Sequence, residues 1–324
     1  MVDANQSRRL VILGTGGTIA GRATQAGDNV GYVAGQVSVE DLVAAVPTLA
    51  HQALTVEQVA QVDSKDMGLP VWQALVRQLW VHLNDPEVQA VVVTHGTDTL
   101  EETAFVLQQV LRPSKPVVLT CAMRPASALA PDGPQNLSDA VAVALQASGG
   151  GVVVVCAGKV HSARDVAKVH TYQLDAFDSG DAGPLGCVEE GQLRAFKPWE
   201  MVRDAVTEGS VERFLSAPTL PRVELVTSHA DADGSVVRAL MGQGVQVRPL
   251  RGIVVAGTGN GTVHKAMLHA LEEAQTTRGV RVVLASRCAR GRVVPHAGLS
   301  FDHSQGLSPV KTRLALALEL LLAD

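Results

Sequence analysis

Short apolar runs that end in glycine, threonine and aspartate recur along the first half of the chain, each followed by apolar residues at helical spacing. Leu10 to Leu13 opens the series and runs into Gly14-Thr15-Gly16-Gly17-Thr18-Ile19-Ala20-Gly21. Leu54 to Val62 alternates as a strand does and delivers Asp63-Ser64-Lys65-Asp66. The β-branched run beginning at Val91 turns over at His95-Gly96-Thr97-Asp98, and Leu100, Ala104 and Leu107 then keep a helical period. Two more strands are predicted over Pro116 to Cys121 and Val152 to Cys156. Helices are predicted over Ser38 to Val46, Pro70 to Leu83 and Asn136 to Ala147, with Ala122 to Gln135 as a loop. On the second of these, Trp72, Leu75, Leu79 and Leu83 form the buried stripe and His82 falls on the solvated face. Strand and helix alternate throughout, which predicts a parallel sheet covered by helices.

Beyond Cys156 the pattern changes. Lys159 to Phe177 is polar, with Arg164-Asp165 and Lys168 at its centre, and Cys187 to Phe196 reads as a short hairpin. Lys197 to Pro221 mixes charges with Pro198, Gly209, Pro218 and Pro221 and reads as a linker. A second α/β series follows: strands over Arg222 to Ser228, Gly252 to Ala256 and Val280 to Ala285, and helices over Ser235 to Gln243, Val263 to Gln275 and Ser308 to Leu322. A chain of 324 residues is also longer than one core usually fills. The expectation is a catalytic α/β domain over 1–196, a linker over 197–221 and a smaller α/β domain over 222–324.

Charge narrows the partner. With 27 basic against 32 acidic residues the net charge is -5, which argues against nucleic acid and anionic membrane and for a small molecule. No apolar run precedes Leu10 and none later approaches the roughly 18 residues of a membrane span, so a cytoplasmic protein with neither signal peptide nor anchor is expected. The cysteines, Cys121, Cys156, Cys187 and Cys288, lie far apart without metal-ligand spacing and are expected as reduced thiols, the first two in buried strands.

Chemistry is expected at the turns. In open parallel sheets, ligands collect outside the carboxyl ends of the strands, where backbone N–H groups are exposed. Thr97 and Asp98 stand at one such end; a plainer reading makes Thr97 or Thr99 a helix cap and Asp98 a partner of the helix dipole. Thr15 and Thr18 stand at another, among glycines that let the backbone approach a ligand. A dinucleotide fingerprint counted from Gly14 and Gly16 fails where Ile19 replaces a small residue, and no P-loop motif occurs. Arg22 to Gly35 is polar and glycine-rich, a lid candidate carrying Tyr32, and Gly257 to Thr262 resembles the ligand-facing turns of the first domain.

Two motifs, GTGGTIAG at Gly14 to Gly21 and HGTDTLEETA at His95 to Ala104, in this order and each at a strand end, resemble those of the bacterial-type L-asparaginase (asparaginase-glutaminase) family. DSKDM at Asp63, the MRP and DGP runs within Ala122 to Gln135, RDVAK at Arg164 and GTGNGT at Gly257 extend the resemblance over nearly the full length. It implies a doubly wound, mostly parallel sheet in a larger N-terminal domain, a smaller C-terminal α/β domain, and a homotetramer built from close dimers. The implied activity is hydrolysis of the side-chain amide of L-asparagine, with L-glutamine as a lesser or comparable substrate and no metal or organic cofactor. Residue by residue, Thr18 resembles the nucleophile and Tyr32 the lid residue that moves its proton; Thr97, Asp98 and Lys168 resemble the second catalytic cluster. Ser64 resembles the residue that holds the substrate carboxylate and Asp98 the one that holds its ammonium, and Gly96, Lys65, Asn260 and Thr262 lie in the turns expected to line the substrate.

Two departures bear on the amine. Lys65 stands where the family carries Gln, Glu or Asn, and Ala285 to Leu299, the region in which many members lend a glutamate to a neighbouring subunit, contains no acid. Weakened recognition of the α-amine, or a broader small-amide amidase, is the corresponding expectation. A tRNA-dependent amidotransferase subunit would carry a further domain before the first strand, and a nucleotide-binding module on the same sheet is disfavoured by the failed fingerprint.

Overall fold

The computed structural model describes residues 9–25, 27–198, 207–242, 248–296, 298 and 300–323. Several stretches read above lie partly outside the described residues: the opening MVDANQSR, Ala26 of the lid, 199–206 of the linker, Gln243, Ala297, Leu299 and Asp324. The chain divides into two compact units, one ending at Val211 and the other beginning at Glu212.

The first unit is built on eight strands: β1 (Arg9–Gly16), β2 (Leu54–Val62), β3 (Val88–Thr94), β4 (Pro116–Thr120), β5 (Gly151–Cys156), β6 (Lys159–Ser162), β7 (Gly186–Glu189) and β8 (Gln192–Ala195). Across the sheet they run β8-β7-β6-β5-β4-β3-β1-β2. The first five in sequence are mutually parallel, and β6, β7 and β8 extend one edge as antiparallel strands. The parallel strands carry the valine-rich runs because both faces are covered: Val91, Val92 and Val93 are fully buried, as are Val117 and Val118. From β1 the chain goes out to the edge strand β2 and returns on the other side as β3. That reversal leaves a crevice between the carboxyl ends of β1 and β3, the place where doubly wound sheets bind ligands.

Helices α1 (Val39–Ala44), α2 (Leu69–Asn84), α3 (Leu100–Leu111) and α4 (Gly133–Gln146) connect the parallel strands. Ser38 caps α1 by accepting from the Asp41 N–H, as its sequence predicts. Helix α4 starts three residues before the expected Asn136, because Pro134 occupies its first turn, where proline's fixed φ suits a helix and its missing N–H costs nothing. His82 on α2 is buried, contrary to its expected place on the solvated face; α2 packs on β2, and the imidazole Nε2 lies 3.1 Å from a Glu57 carboxylate oxygen. Cys121 and Cys156 are buried free thiols at neighbouring strand ends, their sulfurs 3.7 Å apart.

Part of the stretch read as a linker is helical, α5 (Glu208–Ser216). The second unit has a four-stranded parallel sheet, in order β9 (Arg222–Thr227), β10 (Leu250–Gly257), β11 (Arg281–Ser286) and β12 (Asp302–His303). With it are α6 (Ser235–Met241), α7 (Lys265–Arg278) and α8 (Pro309–Ala323). Its core is mostly aliphatic, with Ile253, Val255, Leu271 and Val237 wholly enclosed. Among the described residues no helix is long and apolar enough to cross a membrane.

Candidate active site

The turn after β1 and the turn after β3 touch through glycine backbone. A Cβ on Gly17, which sits at φ +81°, would fall on the Cα and N of Gly96, and a Cβ on Gly96 would lie 2.5 Å from Ser64 Oγ. Only glycine permits both this approach and the left-handed φ. Hydrogen bonds close the same ground: Gly17 N–H donates to Val62 O at 2.9 Å, Thr15 Oγ to Thr94 O at 2.9 Å and Thr99 Oγ to Ser64 O at 2.7 Å. Thr15 is thereby spent on structure. Thr18, Ser64 and Thr97 are brought together at the crevice, all three buried.

Each threonine has its own polar partner. Thr18 Oγ lies 2.6 Å from the Tyr32 hydroxyl. Tyr32 comes from a two-residue strand, Tyr32–Val33, that pairs antiparallel with Arg22–Ala23. The root of this lid is fastened to the loop that follows β4: Ala126 N–H donates to Gly21 O at 3.0 Å and Ala23 N–H to Ser127 Oγ at 2.8 Å. That loop is in turn shaped by Asp132, whose carboxylate accepts from the N–H groups of Met123 and Arg124 at 2.9 Å each. Burial pushes the Tyr32 phenol above its ordinary pKa, and the bond with Thr18 opposes this only in part, so Tyr32 keeps its proton at neutral pH.

On the other side, Lys168 Nζ donates to Thr97 Oγ at 2.8 Å and to Asp98 Oδ1 at 2.6 Å. The Lys168 side chain is 18% exposed and that of Asp98 51%. Lys168 is held in the short strand Ala167–Lys168, paired with Phe177–Asp178, just after a turn in which Ser162 and Asp165 bond to each other. Among the described residues Asp98 receives no contact from the α3 N–H groups; its own N–H donates to Ser64 Oγ at 3.1 Å, and Thr99, the residue before α3, makes no side-chain cap. Among the described residues the backbone N–H groups of Thr18 and Thr97 have no acceptor, which leaves both free to donate at the crevice. An arrangement of two hydroxyls, a phenol, an ammonium–carboxylate pair and two free amide donors can attack a carbonyl, stabilise its oxyanion and shuttle the protons.

Lys65 is directed elsewhere. Its ammonium meets Asp63 Oδ2 at 2.7 Å and Asp66 Oδ2 at 3.0 Å. Asn260 and Thr262 belong to the second unit, where they tie their own loop: the Asn260 amide donates to Val294 O at 2.9 Å and accepts from Val294 N–H at 2.7 Å, and the Thr258 and Thr262 hydroxyls are 2.7 Å apart.

A polar chain that sequence patterns did not disclose runs behind the crevice. Trp72 Nε1 donates to Thr103 Oγ at 2.9 Å, Thr103 Oγ lies 2.9 Å from His95 Nε2, and His95 Nδ1 lies 2.7 Å from Gly96 O. The signal was present: Thr103 shares the buried face of α3 with Leu100 and Leu107, and a buried hydroxyl needs a partner. His95 is fully enclosed, and desolvation pushes its pKa down to about 4 from 6.5, opposed by the bond to Gly96 O. The unfolded chain therefore binds this proton near pH 6.5 and the native state only near pH 4. The resulting native-state advantage, roughly 3 kcal/mol, is complete above pH 6.5 and is lost as pH falls toward 4. Thermal unfolding of the wild type and His95→Asn should converge over this interval, the wild type losing stability more steeply; parallel profiles would refute it.

The sequence matches two described families: "Asparaginase, N-terminal" over residues 9–201 and "Glutaminase/Asparaginase C-terminal domain" over 222–323. Among similar proteins, "Probable L-asparaginase periplasmic" of Haemophilus influenzae is 38% identical over 99% of this chain and 90% of its own length. "L-asparaginase 2" of Escherichia coli is 36% identical, over 96% and 88%, and "Glutaminase-asparaginase" of Pseudomonas fluorescens 35% identical, over 96% and 86%. A solved structure described as a probable cytoplasmic L-asparaginase from Campylobacter jejuni aligns with a TM-score of 0.85 and 35% identity, covering 96% of this chain and 94% of that one.

Proposed function

The chain belongs to the asparaginase/glutaminase family, and from that premise we propose that it hydrolyses the side-chain amide of L-asparagine to L-aspartate and ammonia through an ester of Thr18. The observation that carries this reading is the pair of threonine turns in backbone contact, one hydroxyl on Tyr32 and the other on the Lys168–Asp98 pair. Thr18 Oγ bonds to the amide carbon while its proton passes to Tyr32 Oη, and the phenol's own proton goes to the amide nitrogen, which leaves as ammonia. A phenol that stays protonated can act in this way only by giving one proton as it takes the other. The oxyanion formed on the way is met by the Thr18 and Thr97 N–H groups, each such donor being worth about 3 kcal/mol. Thr97, pinned by Lys168, then orients the water that cleaves the ester, returning the proton to Thr18 and releasing aspartate.

Ser64 and the Gly96 turn take the substrate carboxylate, and the half-exposed Asp98 carboxylate takes its ammonium. Lys65 does not oppose that ammonium as its charge alone suggested, because Asp63 and Asp66 already face it. Lys65→Gln should therefore leave kcat/KM for L-asparagine within about threefold, the scale of an exposed ion pair. The test of the reading as a whole is ammonia release from L-asparagine, L-glutamine, D-asparagine and succinamic acid in parallel. L-Asparagine should be turned over fastest. Equal or faster turnover of succinamic acid, which lacks the α-amine, would reassign the protein as a broader amidase without amine recognition. We read the protein as a cytoplasmic homo-oligomer, dimer or tetramer, on the same family resemblance; light scattering of the purified chain reads the assembly and cell fractionation the location.

A further inference from the structure

His95 is fully buried, and both nitrogens of its ring are engaged in the chain behind the crevice. The direction of that chain is fixed at both ends: an indole N–H can only donate and a backbone carbonyl can only accept. Trp72 N–H therefore donates to Thr103 Oγ, the Thr103 hydroxyl donates to His95 Nε2, and His95 Nδ1–H donates to Gly96 O. The depressed pKa of the enclosed ring keeps it neutral at neutral pH, and the bond to the Gly96 carbonyl places its one proton on Nδ1. The Gly96–Thr97 peptide is trans, so its carbonyl and N–H point in opposite directions. Drawing Gly96 O inward to the imidazole turns Thr97 N–H outward, and among the described residues Thr97 N–H has no acceptor. Gly96 brings no side chain of its own to fix this plane, and the bond from His95 Nδ1 to its carbonyl restrains it.

We propose that His95, braced by Thr103 and Trp72, is a positioning residue that fixes the Gly96–Thr97 peptide so that Thr97 N–H meets the oxyanion of the reaction. The proposal rests on the amide-hydrolysis reading above and adds to it the group that orients the donor. An oxyanion donor acts where charge develops, in the transition state, so its misalignment falls on kcat and not on KM.

Two substitutions separate positioning from packing. His95→Leu fills the space and removes the donor to Gly96 O; His95→Asn removes the link to Thr103 but places an amide N–H where Nδ1 stood. With L-asparagine, His95→Leu should lower kcat by roughly ten- to hundredfold with KM changed less than about threefold, and His95→Asn should recover most of that loss. Thr103→Ser should behave as wild type and Thr103→Val as a milder His95→Leu. Selective ¹⁵N-threonine labelling supplies a readout independent of turnover: the Thr97 amide resonance should move in His95→Leu and hold its place in His95→Asn. A folded His95→Leu with kcat within about threefold of wild type, a loss shared equally by KM, or a Thr97 resonance unmoved in both variants overturns the proposal. Wild-type protein inert toward all four amides overturns the amide-hydrolysis reading instead, and the Thr97 resonance then decides the positioning role by itself.

Discussion

Replacing Thr18 with alanine should reduce ammonia release from L-asparagine by roughly ten-thousandfold or more, the scale seen when a nucleophile is removed from a site whose other groups stay in place. The fold should survive, because among the described residues the hydroxyl's only polar partner is Tyr32 Oη at 2.6 Å, on a half-buried residue that water can reach. Losing one such bond costs about 1 kcal/mol. The Gly17–Gly96 contact and the backbone bonds that hold the turn do not involve the side chain. Two measurements check the assignment: the residual rate, and the intact mass of the protein stopped during turnover. The wild type should carry an aspartyl group on Thr18 during turnover, and Thr18→Ala should carry none. An aspartyl adduct on Thr97 in the Thr18→Ala variant would exchange the roles of the two threonines.

The places of the candidate site residues in the fold were legible because they obey local rules. A β-branched run that stops at Gly-Thr or His-Gly-Thr-Asp and resumes with helical spacing can only be a strand, a turn and a helix, and ligands gather at such turns in a parallel sheet. Thr18, Ser64, Thr97 and Asp98 all stand at strand ends for this reason. What periodicity could not supply was the order of the strands. Nothing in the spacing of Leu10 and Val91 says that β1 and β3 are neighbours with β2 beyond β1, and that adjacency makes one crevice out of two turns. The same limit applies to His82 and to the Trp72–Thr103–His95 chain. Each is polar within an otherwise apolar surface, and its partner lies tens of residues away or on another element: Glu57 for His82, Thr103 for Trp72. The helix over Glu208–Ser216 was hidden by its own composition, since glycine and several charges mask a period of only nine residues.

Lys168→Met is expected to lower kcat by about a thousandfold and, unlike Thr18→Ala, to leave the first half of the reaction running. Methionine keeps the unbranched apolar stem but removes both bonds of the ammonium, 2.8 Å to Thr97 Oγ and 2.6 Å to Asp98 Oδ1. Removing one member of a largely buried ion pair costs roughly 3–5 kcal/mol where the remaining charge is shut away from water. Here the Asp98 carboxylate is half exposed and can be hydrated, so the folding cost is smaller and the damage falls on catalysis. Without Lys168 no other described residue fixes the Thr97 hydroxyl, because its contact with Asp98 Oδ1 is 3.5 Å, too long to orient a proton. The water that should cleave the Thr18 ester then loses its guide, while Thr18 and Tyr32 keep theirs. The stopped-reaction mass of Lys168→Met should consequently show the aspartyl ester accumulating to a large fraction of the enzyme, with a burst of ammonia equal to that fraction. Lys168→Arg should not rescue turnover, since a planar fork cannot reproduce two bonds made from a single ammonium nitrogen. A variant that loses turnover without accumulating ester would move Lys168 to the attack by Thr18, and one within about tenfold of wild type would remove the Thr97–Lys168–Asp98 cluster from the chemistry altogether.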